Sequence, residues 1–323
     1  MLRTLDARHD RFGLNAPFRI SRGVKTAADV VTVTIRDGDH AGRGEGVPYP
    51  RYGETVEGAL AAIEGVRALV EGGVTRAELA AIMPAGAARN AVDCALWDLE
   101  ARLSGMPVTL PDRIASAITI GIDTPDAMAA VASRHAAVPL LKVKVNREDA
   151  VAQIAAVRMV APDPRLIVDP NESWRVEDIA RWQDMLAAQR VDLLEQPVPA
   201  DDDAGLEGLA SAVPLCADEA LHTRADLDRL RRRYKYVNIK LDKTGGLTEA
   251  LALADAARDM GFGLMMGCMV SSSLSIAPAM LIAARAAFVD LDGPLWLSAD
   301  RDGGVRDDGG YMLAPAAGFW GGA

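Results

Sequence analysis

Charged side chains recur at nearly equal intervals along the middle of the chain. Lys144, Asp169, Glu195, Asp218 and Lys240 are separated by 25, 26, 23 and 22 residues. Three consecutive members of this series are carboxylates, and an all-oxygen set suits a hard divalent cation, Mg²⁺ above all. The lysines at the two ends of the series can serve as acid and base. The pattern therefore predicts a magnesium site flanked by two groups that can move a proton.

The elements that must position these residues follow from a repeat that begins near residue 118. Short β-branched runs alternate with amphipathic, alanine-rich stretches of helical spacing. Eight strands alternating with seven helices imply a parallel sheet, which we expect to close into a (β/α)7β barrel. An open doubly wound sheet is the competing fold, but residues 121–127 form no glycine-rich dinucleotide turn. The expected strands are 117–120, 140–145, 165–169, 191–195, 214–218, 236–241, 263–269 and 288–292.

On such a barrel each charge of the series falls at the carboxyl end of its strand, where barrel active sites form. Lys144 and Lys240 then lie on the second and sixth strands, across the barrel from each other. A metal could hold a substrate carboxylate and stabilise the enediolate while one lysine takes the neighbouring proton. The opposite lysine could return a proton to the other face and so invert the centre. A lysine base needs a lowered pKa.

A structural explanation competes with this one for any single charge. An acidic residue at a strand end more often caps the following helix or pairs with a surface cation. Five charges in phase around one rim favour an active site instead. We interpret Glu219 as structural, because it points away from its neighbour Asp218 on the strand, and residues 243–246 as a turn.

The remaining segments predict a second domain. A strand pair at 2–9 and 30–36 comes before helices near 55–70 and 87–103, which is typical of an α+β unit. The tail reads as strand and turn and cannot extend a closed barrel, so we expect it to pack back on the first domain. The expected divisions are an α+β capping domain at 1–115, the barrel at 116–292 and the tail at 293–323.

Composition narrows the class of partner. A net charge of −10 and a pI near 5.0 argue against nucleic acid. No apolar run approaches the roughly 20 residues that span a bilayer, and the first residues lack a signal-peptide core. Three scattered cysteines favour reduced thiols in a cytoplasm over a disulfide framework. We expect a small-molecule substrate, and a homo-oligomer stays open.

Eight segments carry motifs that together are far more specific than any pair of charges. They are YPRYGET (49–55), MPAGAARNAVDCALWDLEA (83–101), LLKVKV (140–145), IVDPNESW (167–174), LLEQP (193–197), CADEALHT (216–223), VNIKLDKTGGLTEALALA (237–254) and DLDGPLWL (290–297). These segments resemble the enolase superfamily, whose lysine bases and Mg²⁺ are well known, in its muconate-lactonising branch. The resemblance is strongest to the bacterial dipeptide epimerases of the L-Ala-D/L-Glu type.

The resemblance implies a role for each charged residue at the barrel rim. Lys144 and Lys240 are the expected acid and base catalysts. Lys142 is expected to contact the substrate carboxylate rather than to move the proton. Asp290 and Asp292 match the acidic pair that binds the α-ammonium group of the dipeptide. The implied Mg²⁺ ligands are Asp169, Glu195 and Asp218.

In that family a loop of the capping domain closes over the site and reads the far side chain of the substrate. Residues 18–30 match this loop, and Arg22 or Lys25 could hold the distal carboxylate of a glutamate. A guanidinium fork would hold a carboxylate better than an ammonium, and the family often has arginine at the position of Lys25. Thr119, on the first barrel strand, is expected to line the site.

The implied reaction is epimerisation of the C-terminal residue of L-Ala-L-Glu or L-Ala-D-Glu, in murein peptide metabolism. A muconate cycloisomerase or an o-succinylbenzoate synthase would use the same lysines and metal. Their substrates carry no ammonium group for Asp290 and Asp292 to bind. A non-catalytic barrel that binds dipeptides or a metal would not need Lys144 and Lys240 on opposite faces.

Overall fold

The computed structural model describes residues 3–322 and confirms the predicted fold class. Its largest sheet has eight parallel strands in the sequential order that a (β/α) barrel requires. The first and last of them meet where the N–H of Ala117 donates to the carbonyl of Val289 at 2.8 Å. The strands are β5 (Ile118–Ile120), β6 (Leu140–Lys144), β7 (Arg165–Asp169), β8 (Leu193–Glu195), β9 (Leu215–Ala217), β10 (Tyr236–Ile239), β11 (Gly263–Gly267) and β12 (Phe288–Asp290).

Buried aliphatic side chains on the barrel strands explain why these segments form a closed sheet. The strands are short, β-branched or leucine-rich, and buried on both faces, as expected for parallel strands covered by helices. One small cluster fills the barrel interior and the larger core lies between strands and helices. The interior cluster contains Ala117, Leu140, Ile167, Leu193, Cys216, Met265 and Phe288, with Tyr236 packed against it.

One of the seven predicted barrel helices, the one between β8 and β9, does not form, and the interval between β10 and β11 contains two helices instead of one. After β8 the chain forms only a 3-10 turn at Ala204–Leu206, and the helix after β9 is a single turn. Residues 198–213 contain Pro199 and two glycines, and Pro214 follows directly. Proline lacks the N–H that a helix needs, and glycine loses more conformational freedom in a helix than other residues. The helices along the barrel are α5 (Pro125–Arg134), α6 (Ala150–Val160), α7 (Val176–Ala188), α8 (Leu227–Leu230), α9 (Leu241–Thr244), α10 (Leu247–Asp259) and α11 (Ser273–Ala283).

A three-stranded antiparallel sheet and four helices form the α+β unit that comes before the barrel. Its first two strands are much longer than expected, so residues 18–30 form the tip of a β-hairpin rather than an irregular loop. Only Ser21 and Arg22 turn the chain between them. The elements are β1 (Thr4–Ile20), β2 (Gly23–Asp37), β3 (His40–Gly46), α1 (Val56–Gly65), α2 (Arg67–Glu71), α3 (Arg76–Ile82) and α4 (Ala87–Ser104).

The strand β3, which the sequence did not predict, is a platform for α4. Gly42, Gly44 and Gly46 alternate along it and face the helix. A Cβ on Gly44 would lie 2.2 Å from the carbonyl oxygen of Ala91, so only glycine allows the backbones to approach this closely. The three glycines hid the strand because glycine is depleted in strands.

The C-terminal segment returns to the first half of the chain. A three-stranded sheet joins β4 (Arg113–Ala115), β13 (Arg306–Asp307) and β14 (Tyr311–Leu313). Beyond it, the indole of Trp320 donates to the carbonyl of Cys94 at 3.1 Å, and the N–H of Gly321 donates to Asp98 Oδ1 at 2.8 Å. Both acceptors belong to α4. Within residues 3–322 no helix combines the length and apolar character needed to cross a membrane.

Candidate active site

Three carboxylates are buried side by side at the carboxyl-terminal rim of the barrel. Asp169 ends β7, Glu195 ends β8 and Asp218 directly follows β9. Neighbouring parallel strands in register bring these ends together. The structure therefore gathers the residues that the sequence spacing singled out.

The turns after β7 and β8 adopt backbone conformations that are unusual for non-glycine residues. Asn171 has φ 45° and Gln196 has φ 31°, in the left-handed region. The N–H of Asn171 donates to Asp169 Oδ1 at 2.8 Å, and Gln196 Oε1 accepts the N–H of Asp218 at 2.8 Å. These contacts hold the ends of three strands in fixed positions, which is a common use of local strain at functional sites.

Three lysines meet the carboxylates from the barrel side. Lys144 Nζ lies 2.5 Å from Asp169 Oδ2, and Lys240 Nζ lies 2.7 Å from Asp218 Oδ2. Lys142, two residues before Lys144 on the same face of β6, lies 3.1 Å from Asp169 Oδ2 and 2.8 Å from Glu195 Oε2. The two lysines predicted as catalysts therefore stand on β6 and just after β10, on opposite sides of the rim.

The electrostatics of the cluster differ among its members. Burial and the charge of Asp169 raise the pKa of Glu195 to about 7. For Asp169 the two lysines outweigh burial and lower the pKa to about 2. Burial alone would lower the pKa of Lys240, but the carboxylate of Asp218 outweighs it and raises that pKa. The expectation of a lowered lysine pKa is therefore wrong for Lys240 in this arrangement, because Asp218 stabilises its charged form.

The carboxylates fit a magnesium ion by their chemistry. Among residues 3–322 no three His, Cys, Asp or Glu side chains already surround a common point for a metal. Lys142 Nζ lies between Asp169 and Glu195. Yet the donors are all carboxylate oxygens, the kind that Mg²⁺ prefers. Glu195 Oε2 is buried and accepts no hydrogen bond, although it lies close to the Lys142 ammonium. The neighbour of this oxygen is therefore already a cation, whose place a divalent ion would take.

A cavity lies above this cluster, and six of the predicted site residues that line it stand on the barrel: Thr119, Lys142, Lys144, Lys240, Asp290 and Asp292. Thr119 lies opposite Lys142 in the β5–β6 register. Its N–H donates to Asp292 Oδ2 at 2.7 Å and its hydroxyl to Asp290 Oδ1 at 3.2 Å. Burial and the neighbouring charge of Asp290 raise the pKa of Asp292 to about 7. The pair therefore favours a cationic ligand.

The hairpin tip between β1 and β2 forms the opposite wall of the cavity. Arg22 lies 2.7 Å from Glu219 Oε1 and 3.0 Å from Glu172 Oε2, so its guanidinium already has two carboxylate partners. Lys25 lies over the ring of Tyr49, with Nζ 4.4 Å from the ring centroid. Within residues 3–322 it forms no ion pair. Burial lowers the pKa of Lys25.

Two buried residues that touch the carboxylates were missed by the sequence analysis. Lys243 Nζ lies 2.6 Å from Asp218 Oδ1, and Asn238 Nδ2 donates to Glu195 Oε1 at 2.9 Å. Spacing could have found Asn238, because it stands two residues before Lys240 and shares its face. Lys243 lies in the segment 243–246 that was interpreted as a turn. Its first two residues end the short helix α9, and only Gly245 and Gly246 turn the chain. Glu219, interpreted as structural, is the partner of Arg22.

Two known protein families match consecutive parts of the chain. Residues 3–110 match the mandelate racemase/muconate lactonizing enzyme N-terminal domain, and residues 126–319 match the enolase C-terminal domain-like family. The chain is 48% identical over 307 residues to the L-Ala-D/L-Glu epimerase of Escherichia coli K12, covering 93% of this chain and 96% of that protein. It is 44% identical over 303 residues to the N-acetyl-D-glutamate racemase of a Pseudoalteromonas species, covering 91% and 96%.

A solved structure from Agrobacterium tumefaciens is similar over almost the whole length. It is an enolase family member with homology to dipeptide epimerases, with bound sodium and L-Ala-L-Glu and an ordered loop. It is 48% identical, with a TM-score of 0.96, covering 99% of this chain and 100% of that one. Solved dipeptide epimerases of lower identity, between 26% and 31%, contain Mg and a bound dipeptide.

Proposed function

The chain belongs to the mandelate racemase/muconate lactonizing enzyme family, in its dipeptide epimerase branch, and we propose that it inverts the C-terminal residue of L-Ala-L-Glu and L-Ala-D-Glu. The observation that carries this proposal is the opposed pair Lys144 and Lys240, on two sides of a cavity that ends in Asp290 and Asp292. A binding protein needs no such pair. A cycloisomerase substrate would bring no ammonium group to the acidic pair, whose cationic contact within the protein is Lys142 Nζ, 2.7 Å from Asp290 Oδ2.

The lysines would divide the proton transfer between them. One, in its neutral form, takes the proton from the α-carbon, and the electron pair moves into the adjacent carboxylate. The other, as an ammonium, gives a proton to the opposite face, so the product has the inverted centre. Lys142, whose ammonium faces the same cavity, would contact the substrate carboxylate and stabilise its growing negative charge.

Asp169, Glu195 and Asp218 would hold Mg²⁺. The bound ion would supply positive charge beside the substrate carboxylate as the α-carbon loses its proton. These carboxylates are buried beneath the lysines that line the cavity, so the ammonium contacts of the structure must rearrange when a cation binds. Asp290 and Asp292 would receive the α-ammonium group of the dipeptide, with Thr119 fixing both carboxylates.

Lys25 is the better candidate for the distal carboxylate of the glutamate. Arg22 is already paired with Glu172 and Glu219, whereas the ammonium of Lys25 faces an aromatic ring and the cavity. A desolvated cation without an acidic partner gains most from a ligand carboxylate. We therefore assign Lys25 to glutamate recognition and Arg22 to holding the hairpin tip against the barrel.

N-acetyl-D-glutamate racemisation is a second candidate, because a relative with that activity is 44% identical. The substrate has the same α-carbon, α-carboxylate and distal carboxylate, so the lysines, metal and Lys25 would act as before. It lacks an ammonium group, and the paired carboxylates Asp290 and Asp292 would then face an uncharged acetyl group. That mismatch favours the dipeptide.

L-Ala-D-Glu is a unit of murein peptides, and we place the enzyme in their metabolism in the cytoplasm. The three cysteines are free thiols, which supports a reducing compartment. Purification under native conditions with size measurement will give the oligomeric state.

The test is hydrogen exchange in D₂O. The protein is incubated with Mg²⁺ and a small library of L,L-dipeptides, with N-acetyl-D-glutamate in parallel. Deuterium is then followed at the C-terminal α-carbon together with optical inversion. Exchange and inversion with L-Ala-L-Glu support the proposal. Exchange with N-acetyl-D-glutamate alone would support the racemase activity instead of the epimerase activity. No exchange with any glutamate-containing substrate would refute both activities.

A further inference from the structure

In each of the three carboxylates, one oxygen is held by a donor other than the lysines that line the cavity. Asp169 Oδ1 accepts the backbone N–H of Asn171. Glu195 Oε1 accepts Asn238 Nδ2, with Lys142 Nζ also 3.0 Å away. Asp218 Oδ1 accepts Lys243 Nζ. The second oxygen of each carboxylate faces the cavity lysines, at the distances given above, and Asp169 Oδ2 also accepts Asn171 Nδ2 at 3.2 Å.

The side chain of Lys243 is buried within the protein and does not line the cavity. It is fully buried, and its ammonium donates to the carbonyl oxygens of Asp218 at 2.5 Å and Asn238 at 3.0 Å as well as to Asp218 Oδ1. All three N–H bonds of the ammonium are therefore used. Asn238 is equally buried, and neither residue lines the cavity.

From these contacts we infer that Lys243 and Asn238 are positioning residues that leave Asp218 and Glu195 only one oxygen each for a metal ion. This inference rests on the proposed metal ligands, and it predicts which divalent ion the site prefers. Ca²⁺ readily takes both oxygens of a carboxylate and accepts six to eight ligands, whereas the smaller Mg²⁺ demands a near-octahedral shell. Because one oxygen of Asp218 and one oxygen of Glu195 are already hydrogen-bonded, the site binds Mg²⁺ in preference to Ca²⁺.

The experiment measures the ratio of the dissociation constants for Ca²⁺ and Mg²⁺ by calorimetry, each metal alone with the intact chain. Lys243→Met and Asn238→Ala should each lower the preference for Mg²⁺ by about tenfold or more, in the range typical when outer contacts to metal ligands are removed. The matched control is Lys240→Met. It removes the same charge beside Asp218 but frees Oδ2, the oxygen already facing the cavity, and should leave the ratio near that of the wild type.

The ratio of the two dissociation constants distinguishes a loss of positioning from a loss of charge, and the unfolding measurement distinguishes both from a loss of stability. Loss of a positive charge affects both divalent ions alike, and thermal unfolding followed by circular dichroism reports any structural damage. An equal shift of the ratio in Lys243→Met and Lys240→Met would overturn the inference, as would an unchanged ratio in Lys243→Met and Asn238→Ala. If Lys243→Met fails to fold, the charge-neutral Asn238→Ala decides by the same ratio.

Failure of the proposed metal site has a different outcome. Wild-type protein that binds neither ion would refute the metal ligands themselves and, with them, this inference. Wild-type protein that binds Mg²⁺ while both variants keep its selectivity would refute the inference alone.

Discussion

Replacement of Lys25 tests how the site reads its substrate. Lys25→Met removes an ammonium that is largely buried, lies 4.4 Å from the centre of the Tyr49 ring and forms no ion pair within residues 3–322. A hydrogen bond between such a group and a carboxylate contributes about 2 to 3 kcal/mol. We therefore expect kcat/KM for L-Ala-L-Glu to fall roughly 30- to 150-fold. Lys25→Arg should retain most of the activity, because a guanidinium holds a carboxylate as well.

The assay compares L-Ala-L-Glu with L-Ala-L-Gln, which has the same shape and no distal charge. For Lys25→Met the loss should be confined to the glutamate peptide, with less than about threefold change for the glutamine peptide. The matched control is Arg22→Met. Because Arg22 joins the hairpin to Glu172 and Glu219, its loss should slow both substrates alike. Equal losses for both peptides in Lys25→Met, or a glutamate-specific loss in Arg22→Met, would refute the assignment.

Three further predictions concern metal, stability and pH. EDTA should abolish α-proton exchange and added Mg²⁺ should restore it, whereas exchange that persists in EDTA would exclude the metal role. Gly44→Ala should lower the free energy of unfolding by about 3 kcal/mol in urea titrations, because its Cβ meets the Ala91 carbonyl, and an unchanged midpoint would contradict that packing. Burial raises the pKa of Asp242 to about 7 from 3.8, so the folded chain holds this proton more tightly and stability falls as pH rises between these values. Asp242→Asn keeps an oxygen for its donors Val47 and Asn90 and should gain stability over wild type between pH 5 and pH 8; a difference independent of pH would refute the shift.

The barrel was predictable because its determinants are local and periodic. The strands are short, β-branched or leucine-rich runs that alternate with helices, and this repeat predicted the strand order. The spacing from Lys144 to Lys240 predicted which charged residues the rim brings together. The hairpin at 18–30 and the strand β3 were missed for different reasons. Residues 18–30 show no strict alternation of apolar and polar side chains, and three of the seven residues of β3 are glycines that allow close contact with α4.

The network around the carboxylates was less accessible to sequence reasoning. Glu172, Glu219 and Lys243 form ion pairs with residues that are between 25 and 197 positions away along the chain, in no regular pattern, and only the folded rim brings them together. The pairing of Arg22 is an example: a residue that the sequence offers as a substrate ligand has two acidic partners of its own. Charge alone did not distinguish Arg22 from Lys25 as the ligand of the distal carboxylate. The two residues differ in their partners, because Arg22 pairs with two carboxylates and Lys25 forms no ion pair within residues 3–322.

The central claim is that Lys144 and Lys240 act on opposite faces of one α-carbon. Lys144→Ala and Lys240→Ala are each incubated in D₂O with L-Ala-L-Glu and, separately, with L-Ala-D-Glu, and α-proton exchange is followed by NMR. Each variant should fail to invert either peptide, yet each should still exchange the α-proton of one epimer, and the two variants should differ in which epimer that is. Exchange of the same epimer by both variants, or inversion at the wild-type rate by either, would contradict the account.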